Sequence, residues 1–463
     1  MTEMSERSGK RDRPFRPKVI TIDRNAPMNS QQQYSTVSDV TDVDSYASQS
    51  KPGISPKQAA RASARMLLLH GLLRRIIREG ALTVVAPDGR SYDFGSGSPT
   101  VTVRITDWAV VRRLSFNPDL AVGEAYMDGM LVVENGEIYD FLALCFSNLG
   151  WHQGHWVRSL AAHLAQRVAP YTPAAVARAN VAHHYDLSDT LYELFLDADR
   201  QYSCAYYMSP SDTLERAQEQ KKRHLAAKLL LRPGQRILDI GSGWGGLALQ
   251  LAKEEDVDVT GITLSPEQHR YSTQSVDKAG LVDRVRFLLN DYRHERGRYD
   301  RIVSVGMFEH VGVGHYRQYF GKIRELLADD GVALVHTIGN ADGPGGTHAW
   351  IRKYIFPGVY TPALSEVVPI IESAGLHITD IEVLRLHYAK TLKAWRQRFM
   401  ANRDRVAAIY DERFCRMWEF YLAACEAGFR HSGLVVYQIQ VSKRIDTVPL
   451  TRDYIFEYER RGL

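Results

Sequence analysis

Apolar and polar positions follow two periods along this chain. From residue 232 onward, short apolar runs fit strands at 236–240, 257–262, 284–289, 300–305, 332–338, 376–386 and 434–443. Stretches with helical spacing separate them. This alternation predicts a doubly wound, seven-stranded α/β sheet with its ligand over the carboxyl ends of the strands. Ser265-Pro266 reads as the N-cap and first turn of one helix, and Gly280 as its end. Gly339 to Pro362 and the helical region at about 389–427 interrupt the pattern and predict a lid and tunnel over the site.

The first half reads differently. Residues 1–56 are polar and aperiodic, which predicts a disordered tail. Its basic cluster, Lys10 to Lys18, reads as solvated rather than as a membrane or nucleic-acid contact. Over 57–79, Met66, Leu67, Leu68, Leu69, Leu72, Leu73, Ile76 and Ile77 form a broad apolar face opposite Arg74, Arg75 and Arg78. Such a helix packs on its own domain or a second subunit, or else lies in a membrane interface; packing is the preferred reading. Leu82 to Ala86, Asp88-Gly89 and Arg90 to Phe94 predict a hairpin, Thr100 to Ile105 a third strand, and Trp108 to Ser115 a helix. The organisation expected is therefore a small α+β domain at 57–150, a helical connection at 151–200 and a catalytic domain at 201–463.

Composition narrows the class. The 463 residues are 44% hydrophobic and 24% charged, as in ordinary globular proteins, and exceed what one core usually holds. No apolar run approaches the ~20 residues of a membrane span, and the N-terminus lacks a secretory h-region. Four cysteines without metal spacing predict no metal site and a cytoplasmic, reducing setting. A net charge of +4 fits contact with anionic headgroups without demanding it.

The candidate chemistry centres on Ile237-Leu-Asp-Ile-Gly-Ser-Gly-Trp-Gly-Gly246, a strand, glycine loop and helix start. Gly241, Gly243 and Gly245 let backbone turn sharply beside a ligand, and Asp239 ends the strand. No Gly-Lys-Ser/Thr follows, so this is not a phosphate loop. No carboxylate ends the next strand, so it is not a dinucleotide fingerprint. A loop of this kind alone also fits a tight structural turn.

The wider pattern resembles the S-adenosylmethionine-dependent methyltransferases, and within them the cyclopropane-fatty-acyl-phospholipid synthase family, relatives of the mycolic acid cyclopropane synthases. The stretches are the glycine loop, Thr263-Leu-Ser-Pro-Glu-Gln268, Asn290-Asp-Tyr292, Gln201-Tyr-Ser-Cys-Ala-Tyr206, Met307-Phe-Glu-His-Val-Gly312, His336-Thr-Ile-Gly339, Tyr354-Ile-Phe-Pro-Gly358 and His387-Tyr-Ala-Lys-Thr-Leu-Lys-Ala-Trp395. They keep family order over roughly residues 180–445. Ser242 departs from the cysteine of many members, a small-for-small change. Glu124-Ala-Tyr-Met-Asp-Gly129 resembles part of the small N-terminal domain of the phospholipid-modifying members, which the shorter mycolate-modifying members lack.

The resemblance implies a class I methyltransferase-type sheet with helical lid insertions, and methylene addition to the cis double bond of an unsaturated phospholipid chain. Methyl transfer from S-adenosylmethionine would leave a carbocation, and proton loss would close the ring. A bicarbonate ion, held by Glu309, His336 and Tyr388 with backbone near Cys204 and Ile338, would accept the proton. Read without the resemblance, the Glu and His fit a loop salt bridge and a satisfied core histidine. Tyr206 and Tyr207 are candidates to face the cation. Cys425 matches a cysteine sometimes described as catalytic, but the mechanism needs no thiolate, so a buried helix position is expected. Cofactor contacts carried over are Tyr202, Ser203, Asp239, Gly241, Gly243, Gly245, Thr263, Leu264, Gln268, Asp291 and Tyr292; for Asn290-Asp-Tyr292 a simple turn is the alternative. A homodimer, peripheral on the inner face of an anionic membrane and without nucleic acid, completes the expectation. The rival readings are a methyl-branched acyl product, a small soluble substrate, and a non-catalytic lipid-binding module.

Overall fold

Residues 80–135 build the first sheet, and its topology departs from a simple meander. The computed structural model describes residues 56–149 and 189–461. The expected tail and most of the expected connection at 151–200 lie outside them. Strands β1 (Gly80–Val85) and β2 (Ser91–Ser96) form the expected hairpin. Strand β3 (Thr100–Ile105) then crosses to the other edge of β1 and pairs with it in parallel. A fourth strand, β4 (Leu131–Asn135), was not visible in the pattern and completes the order β2-β1-β3-β4. Helix α1 (Pro56–Ile76) packs on this sheet through His70 against Phe94, with ring centres 5.1 Å apart. Helix α2 (Trp108–Phe116) is capped by Asp107, whose side chain accepts from the Ala109 N–H. Helices α3 (Pro118–Met127) and α4 (Ile138–Leu149) follow.

After α5 (Asp189–Glu193) and α6 (Leu214–Leu229) come β5 (Arg236–Ile240), α7 (Gly246–Glu254), β6 (Asp258–Thr263), α8 (Pro266–Ala279), β7 (Val285–Leu289), β8 (Tyr299–Val305), α9 (Tyr316–Leu326) and β9 (Leu327–Asn340). Helices α10 (Ala349–Tyr354) and α11 (Leu364–Ser373), strand β10 (His377–Val383), helices α12 (His387–Ala401), α13 (Arg403–Ile409) and α14 (Glu412–His431), strand β11 (Leu434–Ser442) and α15 (Asp453–Arg460) complete the chain. The seven strands order as β10-β11-β9-β8-β5-β6-β7, with β11 antiparallel to both neighbours. Five strands sit within a residue of their expected bounds. By contrast β9 is longer and β10 stops at Val383. As the pattern predicts, Ser265 caps α8 by accepting from the Gln268 N–H, and Gly280 ends it at φ +66°.

The chain passes from β5 to β6 and β7 on one side, then returns to β8 on the other. That reversal between β5 and β8 opens a crevice at their carboxyl ends, where α/β sheets take ligands. The glycine loop leaves β5 there, and Gly306 to Glu309 leave β8 there. Leu225, Leu251 and Val276 fill one face of the sheet, and Phe320, Ile323 and Val367 the other.

From Ala62 on the chain is one compact unit. The N-terminal module and the α12–α14 helices share a single apolar core. Its seam is the Glu124–Gly129 segment. Tyr126 and Trp350 both pack on Phe420, with ring centres 6.1 and 4.6 Å away. A Cβ on Gly123 would clash with the Trp350 indole nitrogen, so glycine lets α10 close against α3. The Glu124 carboxylate accepts from Lys353 at 2.8 Å, from the Tyr354 hydroxyl at 2.9 Å, and from Arg113. Among the described residues no helix is long and apolar enough to cross a membrane.

Candidate active site

Two cavities meet above the β5/β8 crevice. The smaller, of about 170 Å³, lies on the glycine loop. Ten of the eleven expected cofactor positions line it: Tyr202, Ser203, Asp239, Gly241, Gly243, Thr263, Leu264, Gln268, Asp291 and Tyr292. Gly241 adopts φ +82°, and a Cβ there would meet Met307 at 2.9 Å. Gly245 is the exception. At φ +90°, its Cβ would meet Phe287 and Ser272, so it serves close helix packing rather than the cavity wall.

Burial pushes the Asp239 carboxyl up to about 7, against the pull of the nearby Lys221 charge. A buried acid at the cavity floor favours a cationic ligand, which would restore its charge. The Thr263 hydroxyl bonds the Gln268 amide oxygen at 2.9 Å, so these two expected ribose contacts are held together. Burial opposes ionisation of Asp291, but its bonds from Arg293, at 2.9 and 2.6 Å, hold its carboxyl below the usual range. Its oxygens are thus engaged within the turn, which narrows the expected adenine contact.

The larger cavity, of about 1190 Å³, is lined by all six expected catalytic positions: Cys204, Glu309, His336, Ile338, Tyr388 and Cys425. Tyr202, Ser203, Gly306 and His310 line both cavities and mark their junction. Glu309 lies in a single 3-10 turn after β8. Its Oε1 accepts the Ile338 N–H at 2.5 Å, while its Oε2 is buried without a hydrogen-bond partner. Burial raises its carboxyl to about 7.

His336 is inside the long β9 rather than at a strand end, paired with Gln438 of β11. The Gln438 amide donates to Nδ1 at 3.2 Å, which leaves the imidazole proton on Nε2. Burial, with the charges of Lys221 and Lys228, holds this histidine neutral. Tyr388 sits in the first turn of α12, after β10 stops at Val383. Burial pushes its hydroxyl well above the ordinary value, so it stays protonated. Burial likewise raises both thiols, that of Cys425 to about 12, which leaves neither Cys204 nor Cys425 a ready thiolate.

Tyr206 and Tyr207 line neither cavity. Tyr206 is instead stacked between His224 and His387, at 4.1 and 4.9 Å. His224 in turn bonds Glu459 at 2.6 Å and Glu382 at 2.7 Å. The aromatic wall facing the junction comes from Tyr202, Tyr388, Phe356 and Phe429. Lys221 is the residue that sequence reasoning missed. It projects from α6 into the smaller cavity and donates to Gln201 at 2.5 Å and Ser203 at 2.9 Å. Burial lowers its ammonium to about 8.

Residues 174–439 match the family model described as mycolic acid cyclopropane synthetase. A probable fatty acid methyltransferase of Pseudomonas putida is 37% identical over 77% of this chain and 90% of that protein. The cyclopropane-fatty-acyl-phospholipid synthase of Escherichia coli K12 is 36% identical over 76% of this chain and 90% of that protein. The structure of mycolic acid cyclopropane synthase CmaA1 complexed with SAH and CTAB is 34% identical, with a TM-score of 0.55, and covers 58% of this chain and 99% of that one.

Proposed function

The chain belongs to the mycolic acid cyclopropane synthetase family and is an S-adenosylmethionine-dependent methyltransferase, and we propose that its substrate is the cis double bond of an unsaturated phospholipid acyl chain. The observation that carries this reading is Glu309, its Oε2 buried without a hydrogen-bond partner, in the lining of a large, mostly apolar cavity that joins the glycine-loop cavity. The relative named as a cyclopropane-fatty-acyl-phospholipid synthase and the neighbour complexed with SAH and CTAB support the same assignment.

Bound S-adenosylmethionine supplies an electrophilic methyl group on a sulfonium. Gly241 and Gly243 would admit it close to the backbone, Asp239 would balance its positive charge, and Tyr202 and Ser203 would direct the methyl across the junction. The new C–C bond takes the alkene π pair. The sulfonium C–S bond breaks with its pair on sulfur. Loss of one methyl proton then closes the cyclopropane, so the balance is alkene plus sulfonium methyl giving cyclopropane, thioether and one proton.

The chain's own groups prepare for that proton. Glu309 Oε2 is an acceptor without a partner, His336 presents an Nε2 donor, and Tyr388 a neutral hydroxyl. Two donors and one acceptor in the lining of the same cavity would fit a bicarbonate ion, whose hydroxyl would donate to Glu309 and whose oxygens would accept from His336 and Tyr388. Held there, bicarbonate would supply a small base to which Glu309, His336 and Tyr388 could bond. Apolar walls exclude the water that would otherwise trap the cation.

Exposed Leu67 and Leu68, with Arg74 and Arg75 on α1, support peripheral contact with an anionic membrane. Purified enzyme with vesicles of a cis-unsaturated phospholipid tests the chemistry. Turnover should fall when carbon dioxide is stripped, recover with added bicarbonate, and fall in Glu309→Gln with cofactor affinity kept. A fully active Glu309→Gln would refute the base assignment.

A further inference from the structure

The larger cavity does not end at the reaction centre. It continues into the N-terminal module, where Leu69, Leu72, Leu73 and Ile76 of α1, spaced as one helical face, line it together with Val84 and Val103 of the small sheet. Native cores rarely contain voids larger than a water molecule, and a void of this kind costs stability. A module of this size that keeps one open beneath its main helix has a use for it.

Helix α14 runs along the cavity, with Phe420, Ala424, Cys425, Gly428, Phe429 and His431 in its lining. Its lining residues run from Phe420, beside Tyr126 and Trp350 of the seam, through Ala424 and Cys425 to His431. At 1.5 Å per residue the eleven steps from Phe420 to His431 span roughly 16 Å. The N-terminal module flanks this stretch: Tyr126 of α3 packs on Phe420, and Glu137, just before α4, pairs with Arg396, which bonds Glu426.

The module end opens outward. Pro118, Asp119 and Leu149 line the cavity and are also exposed, Leu149 by 49%. Around this mouth the elements turn apolar side chains to solvent: Leu67 and Leu68 on α1, and Phe116 just before Pro118, 73% exposed. Asn148, next to Leu149, ties the end of α4 to the end of α1 by accepting from the Arg78 and Glu79 N–H groups at 2.7 and 2.8 Å. Exposed Arg65, Arg74, Arg75 and Arg112 lie on the same elements. The described cavity lining itself contains no lysine or arginine. Cations are thus kept outside, where phosphates would be, and the module's part of the lining, Leu69, Leu72, Leu73, Ile76, Val84 and Val103, suits hydrocarbon.

We propose that the N-terminal module is a passage for the substrate: one acyl chain leaves an anionic bilayer at the α1–α3–α4 mouth, threads between α1 and the small sheet, and brings its double bond to the Glu309 centre while the headgroup stays at the arginines. The proposal rests on the acyl-chain reading above and adds the route and the orientation, carboxyl end in the module. It also gives α1 two jobs, with one face on the cavity and the other on the membrane.

A photoreactive phosphatidylglycerol, carrying a diazirine in its unsaturated chain between the carboxyl end and the double bond, tests the orientation in vesicles with the full-length enzyme. Adducts are expected within residues 69–76 and 141–149. Adducts confined to residues 340–434 would overturn the passage. In parallel, Leu73→Trp and Val122→Trp narrow the passage away from the reacting groups. Each should lower kcat/KM on vesicles by roughly tenfold or more, with S-adenosylmethionine affinity and melting temperature retained. A variant that melts early is replaced by the milder Leu73→Phe, for which the same loss is required. If the wild type methylates lipid while folded plug variants keep full activity, the passage fails and the acyl-chain reading stands. If the wild type modifies no unsaturated lipid, the acyl-chain reading itself fails.

Discussion

At the scale of single residues, the site rests on groups held away from their ordinary protonation states. Glu309 is the clearest, with its carboxyl raised from 4.5 to about 7 by burial. An acid whose folded pKa is raised destabilises the fold as pH climbs from its unfolded value to its folded one, because the unfolded chain releases the proton first. A shift from 4.5 to 7 corresponds to a penalty of about 3 kcal/mol, complete above pH ~7. Glu309→Gln keeps an oxygen for the Ile338 N–H and lacks that penalty. It should therefore match the wild type in stability near pH 5 and exceed it by up to about 3 kcal/mol at pH 8, while losing turnover. Calorimetric melting at the two pH values checks this; a variant less stable at pH 8 would show that the carboxylate is satisfied by groups other than those seen. Gly241→Val is a second test. A branched side chain at φ +82° is strained by about 1–3 kcal/mol and meets Met307. Cofactor affinity, measured by isothermal titration, should fall by at least tenfold, about 1.4 kcal/mol.

At the scale of elements, the seam between α3 and the α10 and α14 helices determines whether the two sheets share one core. Glu124 holds three donors there. Glu124→Gln should lower stability by about 1–3 kcal/mol in urea unfolding, since charge-assisted bonds are lost. It should also reduce lipid turnover more than cofactor affinity. Equal stability would mean that Tyr126, Trp350 and Phe420 alone set the seam. The same scale shows what the sequence could reveal. Strands β5 to β8 were legible because buried parallel strands leave short stretches rich in Val, Ile and Leu between turn signals. The pattern runs strand β10 three residues too far because buried Leu384 extends the apolar run past Val383, and α12 begins at His387 with no side-chain cap to announce it. Strand β4 escaped because only Leu131 of its five residues is buried. The turn of the glycine loop was legible through its glycines, three of which adopt positive φ. Lys221 was not, since a lysine on a helix reads as solvated and only the fold buries it. Nor was the passage, because Leu69, Leu72 and Leu73 have the spacing of an ordinary core face whether they meet side chains or a void.

At the scale of the whole molecule, the proposed chemistry on a phospholipid acyl chain brings the protein to a bilayer that, among the described residues, no helix is long and apolar enough to cross. Each arginine near an anionic surface contributes about 1 kcal/mol, screened by salt. Reversing Arg74, Arg75 and Arg78 should therefore weaken binding to anionic vesicles by roughly a hundredfold at low salt, and less at high salt. Sedimentation of vesicles reads this directly, and unchanged binding would place the membrane contact elsewhere. The central claim is narrower: that the methyl carbon ends in a ring across the former double bond. Proton NMR of membrane fatty acids from a host expressing the chain tests it most directly. The account predicts a gain of one methylene per modified chain, loss of the olefinic protons and the high-field signals of a cis-cyclopropane. A methylated chain that keeps its olefinic protons, or gains a methyl branch without a ring, would contradict it.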